Sequence, residues 1–309
     1  MFLVSVIIPN FNHERYLDLR IKSVLAQTYK NIEIIILDDC STDGSKSVIE
    51  KYRNNEHVSH IVYNEVNSGS TFKQWEKGFE LAKGEIIWIA ESDDMCDKSF
   101  LASLVPMFDN NKVVLAFSRS MQVDQEDHEM GIYPFQQKMD ASFCVSSGEF
   151  IRNYLSRCNI VVNASSAVFR KDVINKINKD YYSFRGCGDW LFWIYLAEKG
   201  YVGYVSKPLN YFRQHLTNTT SKLYKSGNNS KEVHKIYLYL SQHGYLKGLS
   251  KTRFRTSRLA SYLSSNQFDS NEAQEEVLRE WNFSYMDYIV ARLLRYYRRL
   301  RLIAKNGKQ

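Results

Sequence analysis

No stretch of the chain is apolar for the 18 or more residues that a bilayer-spanning helix needs, so no such helix is expected. Cysteine is sparse and odd in number: Cys40, Cys96, Cys144, Cys158 and Cys187 are scattered, without a C-x-x-C pair. That excludes a disulfide framework and a zinc site as leading ideas and fits a reducing compartment. Neither G-x-x-x-x-G-K-[ST] nor G-x-G-x-x-G occurs, so a glycine loop is not expected to cradle phosphate. The start has no basic n-region before Val4–Ile8 and no small-residue cleavage site after it, so no signal peptide is expected. No internal repeat is visible. Acid is missing from the last 18 residues, where Arg292, Arg295, Arg298, Arg299, Arg301, Lys305 and Lys308 lie.

What is present is globular. The 309 residues are 44% hydrophobic, 14% aromatic and 24% charged, which rules out wholesale disorder. The net charge of +7 belongs to the tail, because residues 1–291 carry equal numbers of basic and acidic side chains. A nucleic-acid groove across the main body is therefore not expected.

The first hundred residues alternate strand and helix patterns. Val4–Ile8, Ile32–Leu37, His60–Tyr63 and Glu85–Ala90 read as strands. Leu17, Ile21, Val24 and Leu25 form an apolar stripe at helical spacing, and Thr71–Ala82 reads as another helix. This rhythm predicts an α/β fold, a mostly parallel sheet with helices on both faces. Beyond it, Val113–Phe117, Ala164–Phe169 and Val202–Val205 read as strands, and Asp189–Lys199 as a helix. The composition turns helical and basic after Ser226-Gly227-Asn228-Asn229-Ser230. The expected division is 1–225 (about 1–110 for one ligand and 111–225 for the rest) and a helical extension over 226–309.

In open α/β sheets the ligand sits beyond the carboxyl ends of the strands. Those ends carry Pro9–Asn12, Asp38–Asp43 and Glu91–Asp94, three polar loops expected to converge. Carboxylates placed there hold a divalent metal or accept from sugar hydroxyls and base N–H groups. If phosphate binds, a metal on Asp93 or Asp94 is the simplest way to neutralise it. The plainer reading makes Asp38, Asp39, Asp93 and Asp94 helix caps; two Asp-Asp pairs at neighbouring strand ends favour the site.

The stretches Val4–Asn12, Ser23–Tyr29, Asp38–Asp43 and Lys83–Asp94, in this order and spacing, resemble glycosyltransferase family 2 over roughly residues 1–225. The resemblance implies a GT-A fold, Rossmann-like, binding a nucleotide sugar in its first half and an acceptor in its second. Pro9 and Phe11 would border the nucleobase, with Asn12 beside them, and Asp39 would accept from a base N–H, making UDP the default. Asp93 and Asp94 fill the place of the family's Asp-x-Asp motif, Asp93 toward the donor and Asp94 on Mn²⁺ or Mg²⁺. Glu91 replaces the leading Asp. The family's Ala-Arg-Asn signature is absent, leaving Lys73 as the nearest diphosphate contact. Gly188-Asp189 matches the acidic motif that supplies the catalytic base, Asp189. Tyr211–Ser221 resembles the family's Tyr-Arg-x-His element, with Arg213 near the diphosphate and His215 near the metal. The activity implied is inverting transfer of a sugar to a hydroxyl of a glycan or lipid-linked glycan in cell-surface polysaccharide synthesis.

Two other classes compete: a non-catalytic nucleotide- or sugar-binding module of the same fold, and a sugar nucleotidyltransferase. Asp189 together with Asp93-Asp94 argues against the first, and the lack of a glycine-rich basic loop against the second. At the tail, Met286, Ile289, Leu293, Tyr297, Leu300 and Ile303 recur at threes and fours among arginines. That is a basic amphipathic helix, suited either to an anionic membrane surface or to packing on the protein. The expected location is cytoplasmic, peripheral on the inner face of the membrane if the tail binds lipid.

Overall fold

The computed structural model describes residues 1–135, 139–215, 225–264 and 267–306, the last nine of these by backbone alone. Two compact units emerge. The first is Met1–Ser183 with Asp189–Leu216; the second is Phe184–Gly188 with Thr217–Gln309. The division at Leu216/Thr217 falls before the 225–230 boundary read from composition, and a short segment ahead of Asp189 joins the second unit.

The first unit is built on one sheet. Its first four strands are Val4–Asn10 (β1), Ile32–Asp38 (β2), Val58–Tyr63 (β3) and Ile86–Ile89 (β4). They lie in the order β3-β2-β1-β4, all parallel. Every residue of β1, β2 and β4 is buried, as their near-continuous apolar runs require of strands covered on both faces. The crossovers are helical: Glu14–Leu25 (α1), Ser45–Glu50 (α2) and Thr71–Leu81 (α3). Helix α1 buries Leu17, Ile21 and Val24; α3 buries Phe72, Trp75 and Phe79. Gly78 of α3 faces β1, where an added Cβ would lie 2.5 Å from Ile7 Cγ2.

Beyond β4 the sheet is mixed. Met95–Cys96 (β5), Val113–Val123 (β6), Glu129–Ile132 (β7), Phe143–Val145 (β8), Ala167–Arg170 (β9) and Tyr201–Arg213 (β10) complete it. Strand β9 enters antiparallel between β4 and β6, while β10 runs parallel to β6 and antiparallel to β5 and β8. The sequence pattern showed only Val202–Val205 of β10. The strand continues through register shifts around Pro208, which has no N–H for the ladder. That extension brings Arg213 to the end of β4. Short helices Phe100–Leu104 (α4) and Ser147–Phe150 (α5) precede Gly188–Ala197 (α6). Residues Trp190–Ala197 of α6 are all buried, as expected of a helix apolar on every side. Its Phe192 lies 5.4 Å from Phe169 and 6.3 Å from Phe79, ring centroid to ring centroid.

The second unit holds Asn228–Gln242 (α7), Gly248–Tyr262 (α8), Asn271–Trp281 (α9) and Tyr285–Asn306 (α10). Leu259, Ala260 and Ala291 form its apolar centre, with Leu263, Leu278, Phe283, Tyr288 and Leu294 around them. Trp281 stacks on Tyr237 at 5.4 Å and on Phe283 at 5.3 Å. Buried Glu232 of α7 accepts from the backbone N–H groups of Arg185, Gly186 and Cys187 at 2.5, 2.8 and 2.8 Å. Among the described residues, no helix is long and apolar enough to cross a membrane. None of the five cysteines forms a disulfide.

Candidate active site

The strand-end loops converge as the topology demands, and polar side chains tie them together. Asn10, last in β1, donates from Nδ2 to Asp38 Oδ2 at 2.8 Å. Asn12 adopts φ 55, a left-handed conformation that Asn tolerates, and its Oδ1 accepts from Thr42 N at 2.8 Å. His13 Nδ1 lies 2.8 Å from Ser92 Oγ, joining the β1 loop to the β4 loop. Neither Asp38 nor Asp39 caps a helix. Asp38 Oδ1 accepts from Ser41 N at 2.9 Å. Asp39 accepts from Asn64 Nδ2 at 2.6 Å, Gln74 Nε2 at 2.8 Å, and Ser68 through both N and Oγ, at 2.9 and 2.7 Å. The residues read as the nucleobase border sit on this edge: Pro9 buried in β1, Phe11 45% exposed. Lys73 is exposed, and its Nζ donates to Ser68 O at 3.1 Å.

The acidic loop after β4 is the electrostatic centre. Glu91, Asp93 and Asp94 are crowded into four residues. Burial, then the Asp93 charge, pushes Glu91 up to about 8. The same two causes push Asp94 upward. Burial also pushes Asp93 upward, but its bond to His215 and the charges of His13 and His215 outweigh this and hold it below the usual carboxylate range. His215 Nε2 lies 2.8 Å from Asp93 Oδ2, and that bond raises the imidazole. Asp94 Oδ1 accepts from Arg213 N at 3.0 Å, and its Oδ2 accepts from Asn163 Nδ2.

Arg213, expected to contact substrate, instead braces this loop. It is buried, with Nε donating to Asp93 O at 2.6 Å, Nη1 to Asp124 O at 2.6 Å and Nη2 to Asp127 Oδ1 at 2.5 Å. Its guanidinium sits 4.3 Å from the Tyr16 ring centroid. Within the Tyr211–Ser221 element, residues 216–221 lie outside the described residues. Asp189 stands in the first turn of α6: its Oδ2 accepts from Asn159 Nδ2 at 2.7 Å and its Oδ1 from Trp190 N at 2.8 Å. The segment 159–163 thus steers two acids, Asp189 through Asn159 and Asp94 through Asn163.

Several participants were not singled out from the sequence. The His13 ring stacks on His215 with centroids 6.1 Å apart and planes 13° apart, and Tyr16 meets His215 edge-on at 5.7 Å. Arg20 is fully buried; its Nε donates to Glu91 O at 3.0 Å and its guanidinium lies 5.2 Å from the Trp88 ring centroid. Its position between Leu17 and Ile21, on the apolar side of α1, was the available signal. Trp75 Nε1 donates to Glu91 Oε1 at 3.1 Å.

The model of glycosyl transferase family 2 matches residues 5–177. The chain belongs to this family. The match ends before Asp189, Arg213 and His215, so their placement rests on the geometry above. The "Putative teichuronic acid biosynthesis glycosyltransferase TuaG" of Bacillus subtilis is 27% identical over 202 residues, 65% of this chain and 75% of that protein. The S. aureus TarS 1–349 structure in complex with UDP-GlcNAc superposes with a TM-score of 0.68 at 21% identity, covering 90% of this chain and 79% of that one. The mannosyltransferase PcManGT of Pyrobaculum calidifontis, in complex with GDP-Man and Mn²⁺, superposes at 0.55 and 15% identity, covering 97% and 81%. These likenesses show a shared fold, the α/β architecture of glycosyltransferases.

Among the described residues, no group of three or more His, Cys, Asp or Glu side chains forms a ready metal cage. The chemistry nonetheless fits a divalent cation. A carboxylate and an imidazole already share one spot in Asp93 and His215, and beside them burial and the Asp93 charge push up two further carboxyls, Glu91 and Asp94.

Proposed function

We propose that the chain is an inverting glycosyltransferase that moves a sugar from a nucleoside-diphosphate sugar, UDP first among the candidates, to a hydroxyl of a glycan or lipid-linked glycan in cell-surface polysaccharide synthesis. The observation that carries the reading is the Asp93–His215 contact, with Asp94 next in the chain, in the loop that follows β4 of a chain of this family. Similar proteins support the direction: one is a putative teichuronic acid biosynthesis glycosyltransferase, and another has UDP-GlcNAc bound.

The donor half is the β1, β2 and β4 edge. Pro9, Phe11 and Asn12 would border the base and ribose. Asp39 would receive a base N–H, at the cost of loosening one of its four present donors. Lys73 would have to leave Ser68 O to reach the diphosphate. Asp93, Asp94 and His215 would hold Mn²⁺ or Mg²⁺. When bound, that cation compensates the charge of the leaving diphosphate.

The acceptor half supplies the base. Asp189, oriented by Asn159 and by its own helix N-terminus, takes the proton of the acceptor hydroxyl as its oxygen attacks the anomeric carbon. The bond to the diphosphate oxygen breaks on the opposite face, so the configuration inverts. The test is a thermal-shift panel of nucleotide sugars with and without Mn²⁺, followed by assay of nucleotide release and NMR of the product anomer. A donor that stabilises the protein and is transferred with inversion supports the reading. Failure of every nucleoside diphosphate to shift the melting point overturns it.

A further inference from the structure

We propose that the exposed face of α10 is a docking surface for anionic lipid. The helix has two sides, and the structure separates them. Asp287, Tyr288, Ala291 and Leu294 turn inward: Ala291 is completely buried against Leu259 and Ala260 of α8, and Tyr288 and Leu294 pack beside it. The opposite side carries Tyr285, Met286, Leu293, Tyr296 and Tyr297, each more than half exposed, with Ile289 at 37%. Met286, Ile289, Leu293 and Tyr297 belong to the apolar stripe read from the sequence; the side chains of its other two members, Leu300 and Ile303, lie outside the described part. The described stripe is therefore not the side by which the helix packs on its unit.

Charge selects the partner. Arg292 and Arg295 are exposed on this helix. The single acid of residues 285–309, Asp287, is withdrawn into the unit, where its Oδ2 accepts from Arg255 Nη2 at 2.9 Å and from Ser284 N at 2.9 Å. The neighbouring α8 carries Lys251, Arg253, Arg255 and Arg258 and no acid, with Lys251 and Arg253 exposed. Of the other acids of this unit among the described residues, Glu232 is buried on α7, Asp269 precedes α9, and Glu272, Glu275, Glu276 and Glu280 lie on α9. Two of these are engaged with α7: Glu276 Oε1 lies 2.7 Å from Lys231 Nζ, and Glu280 Oε1 lies 3.5 Å from His234 Nδ1. An apolar stripe with large amphipathic tyrosines, flanked by arginines and cleared of carboxylate, suits the boundary between anionic headgroups and acyl chains. A protein partner would match the apolar stripe equally well, but the segregation of charge favours a surface of uniform negative sign.

The surface goes beyond the proposed reaction and is tested without donor or acceptor, so its failure and that of the transfer reading are separable. The full chain is sedimented with vesicles of mixed phosphatidylglycerol and phosphatidylcholine and with pure phosphatidylcholine, at low and high salt. Expected are binding to the anionic vesicles at low salt, weaker binding at high salt, and little to the neutral ones. Arg292→Gln with Arg295→Gln should lower the partition coefficient about fivefold for each arginine. Met286→Ser with Leu293→Ser should lower it at least about tenfold. Both side-chain pairs are exposed, so circular dichroism should be unchanged. Failure of the full chain to bind anionic vesicles at low salt overturns the proposal, as does wild-type binding by both double variants. Absent lipid binding combined with self-association that Met286→Ser/Leu293→Ser abolishes also overturns it, and makes the face an interface between copies.

Discussion

The Nε2 of His215 lies 2.8 Å from Oδ2 of Asp93, across 122 residues of sequence. The contact exists because β10 runs on past Pro208 to deliver residues 213–215 to the end of β4. It places an imidazole beside a loop whose other carboxyls are pushed toward neutrality by burial and mutual repulsion. On the proposed reading, a divalent cation held there would favour the ionised carboxylates.

Removal of Asp94 should therefore be felt as loss of a metal response. In Asp94→Ala the extra stabilisation that UDP gains from Mn²⁺ should disappear, and His215→Ala should weaken it at least about tenfold, or 1.4 kcal/mol. Asp94→Asn, which keeps an acceptor for Arg213 N, controls for local collapse and should also lose the response. The measurement is thermal shift with UDP, with and without Mn²⁺. Wild-type behaviour in all three variants would remove the cation from this loop.

Asp189→Asn preserves size and still offers an oxygen to Trp190 N, but it cannot take a proton from a hydroxyl. Donor affinity should persist while transfer falls by at least ~10²-fold. Near-normal turnover in the variant would sink Asp189 as the base.

Much of this was legible in the sequence for physical reasons that also mark its limits. Strands β1, β2 and β4 announce themselves because a strand buried on both faces must be apolar throughout, and their polar ends then mark the ligand edge. Strand β9 was readable as a strand within Ala164–Phe169, but its place in the sheet was not. Its antiparallel entry between β4 and β6 depends on pairing Val168 with Trp88 and Ala116, partners far away in the chain. The roles of Arg213 and Arg20 were hidden because an arginine is read as solvated or as a substrate contact. Here each is buried and donates to a backbone carbonyl of the acidic loop, Asp93 O for one and Glu91 O for the other. The tail was readable as amphipathic. Which side it turns inward was not, because Ala291 and Asp287 give no apolar signal, yet they are what the unit buries.

Close packing of α3 on β1 gives a stability test. A Cβ at Gly78 would stand 2.5 Å from Ile7 Cγ2 and 2.7 Å from its Cδ1, and Ile7 is a fully buried, β-branched strand residue. Alanine gains about 1 kcal/mol of helix propensity over glycine, against about 1–3 kcal/mol for overpacking a filled core. Gly78→Ala should thus be destabilising by up to ~2 kcal/mol, seen as a Tm lowered by a few degrees. An unchanged or raised Tm would show that Ile7 repacks freely.

His234 of α7 lies against Trp281 with ring centroids 4.8 Å apart and against Tyr237 at 6.0 Å. Burial lowers its pKa from the ordinary 6.5, more than the bond to Glu280 raises it, with the Arg255 charge lowering it further. The unfolded chain therefore binds this proton before the folded one does. Stability rises with pH wherever the unfolded state holds more protons, so the contribution of His234 is intact above pH 6.5 and is lost progressively as the pH falls below it. Replacement by glutamine keeps a polar side chain there but removes the titration. His234→Gln should lower Tm at pH 8, through lost contact with Trp281, yet the gap to wild type should narrow as the pH falls from about 7 toward 5. Chemical denaturation across that range, fitted at each pH, measures it. A gap that stays constant, or widens toward acid, would mean that the folded protein protonates His234 as readily as the unfolded chain does.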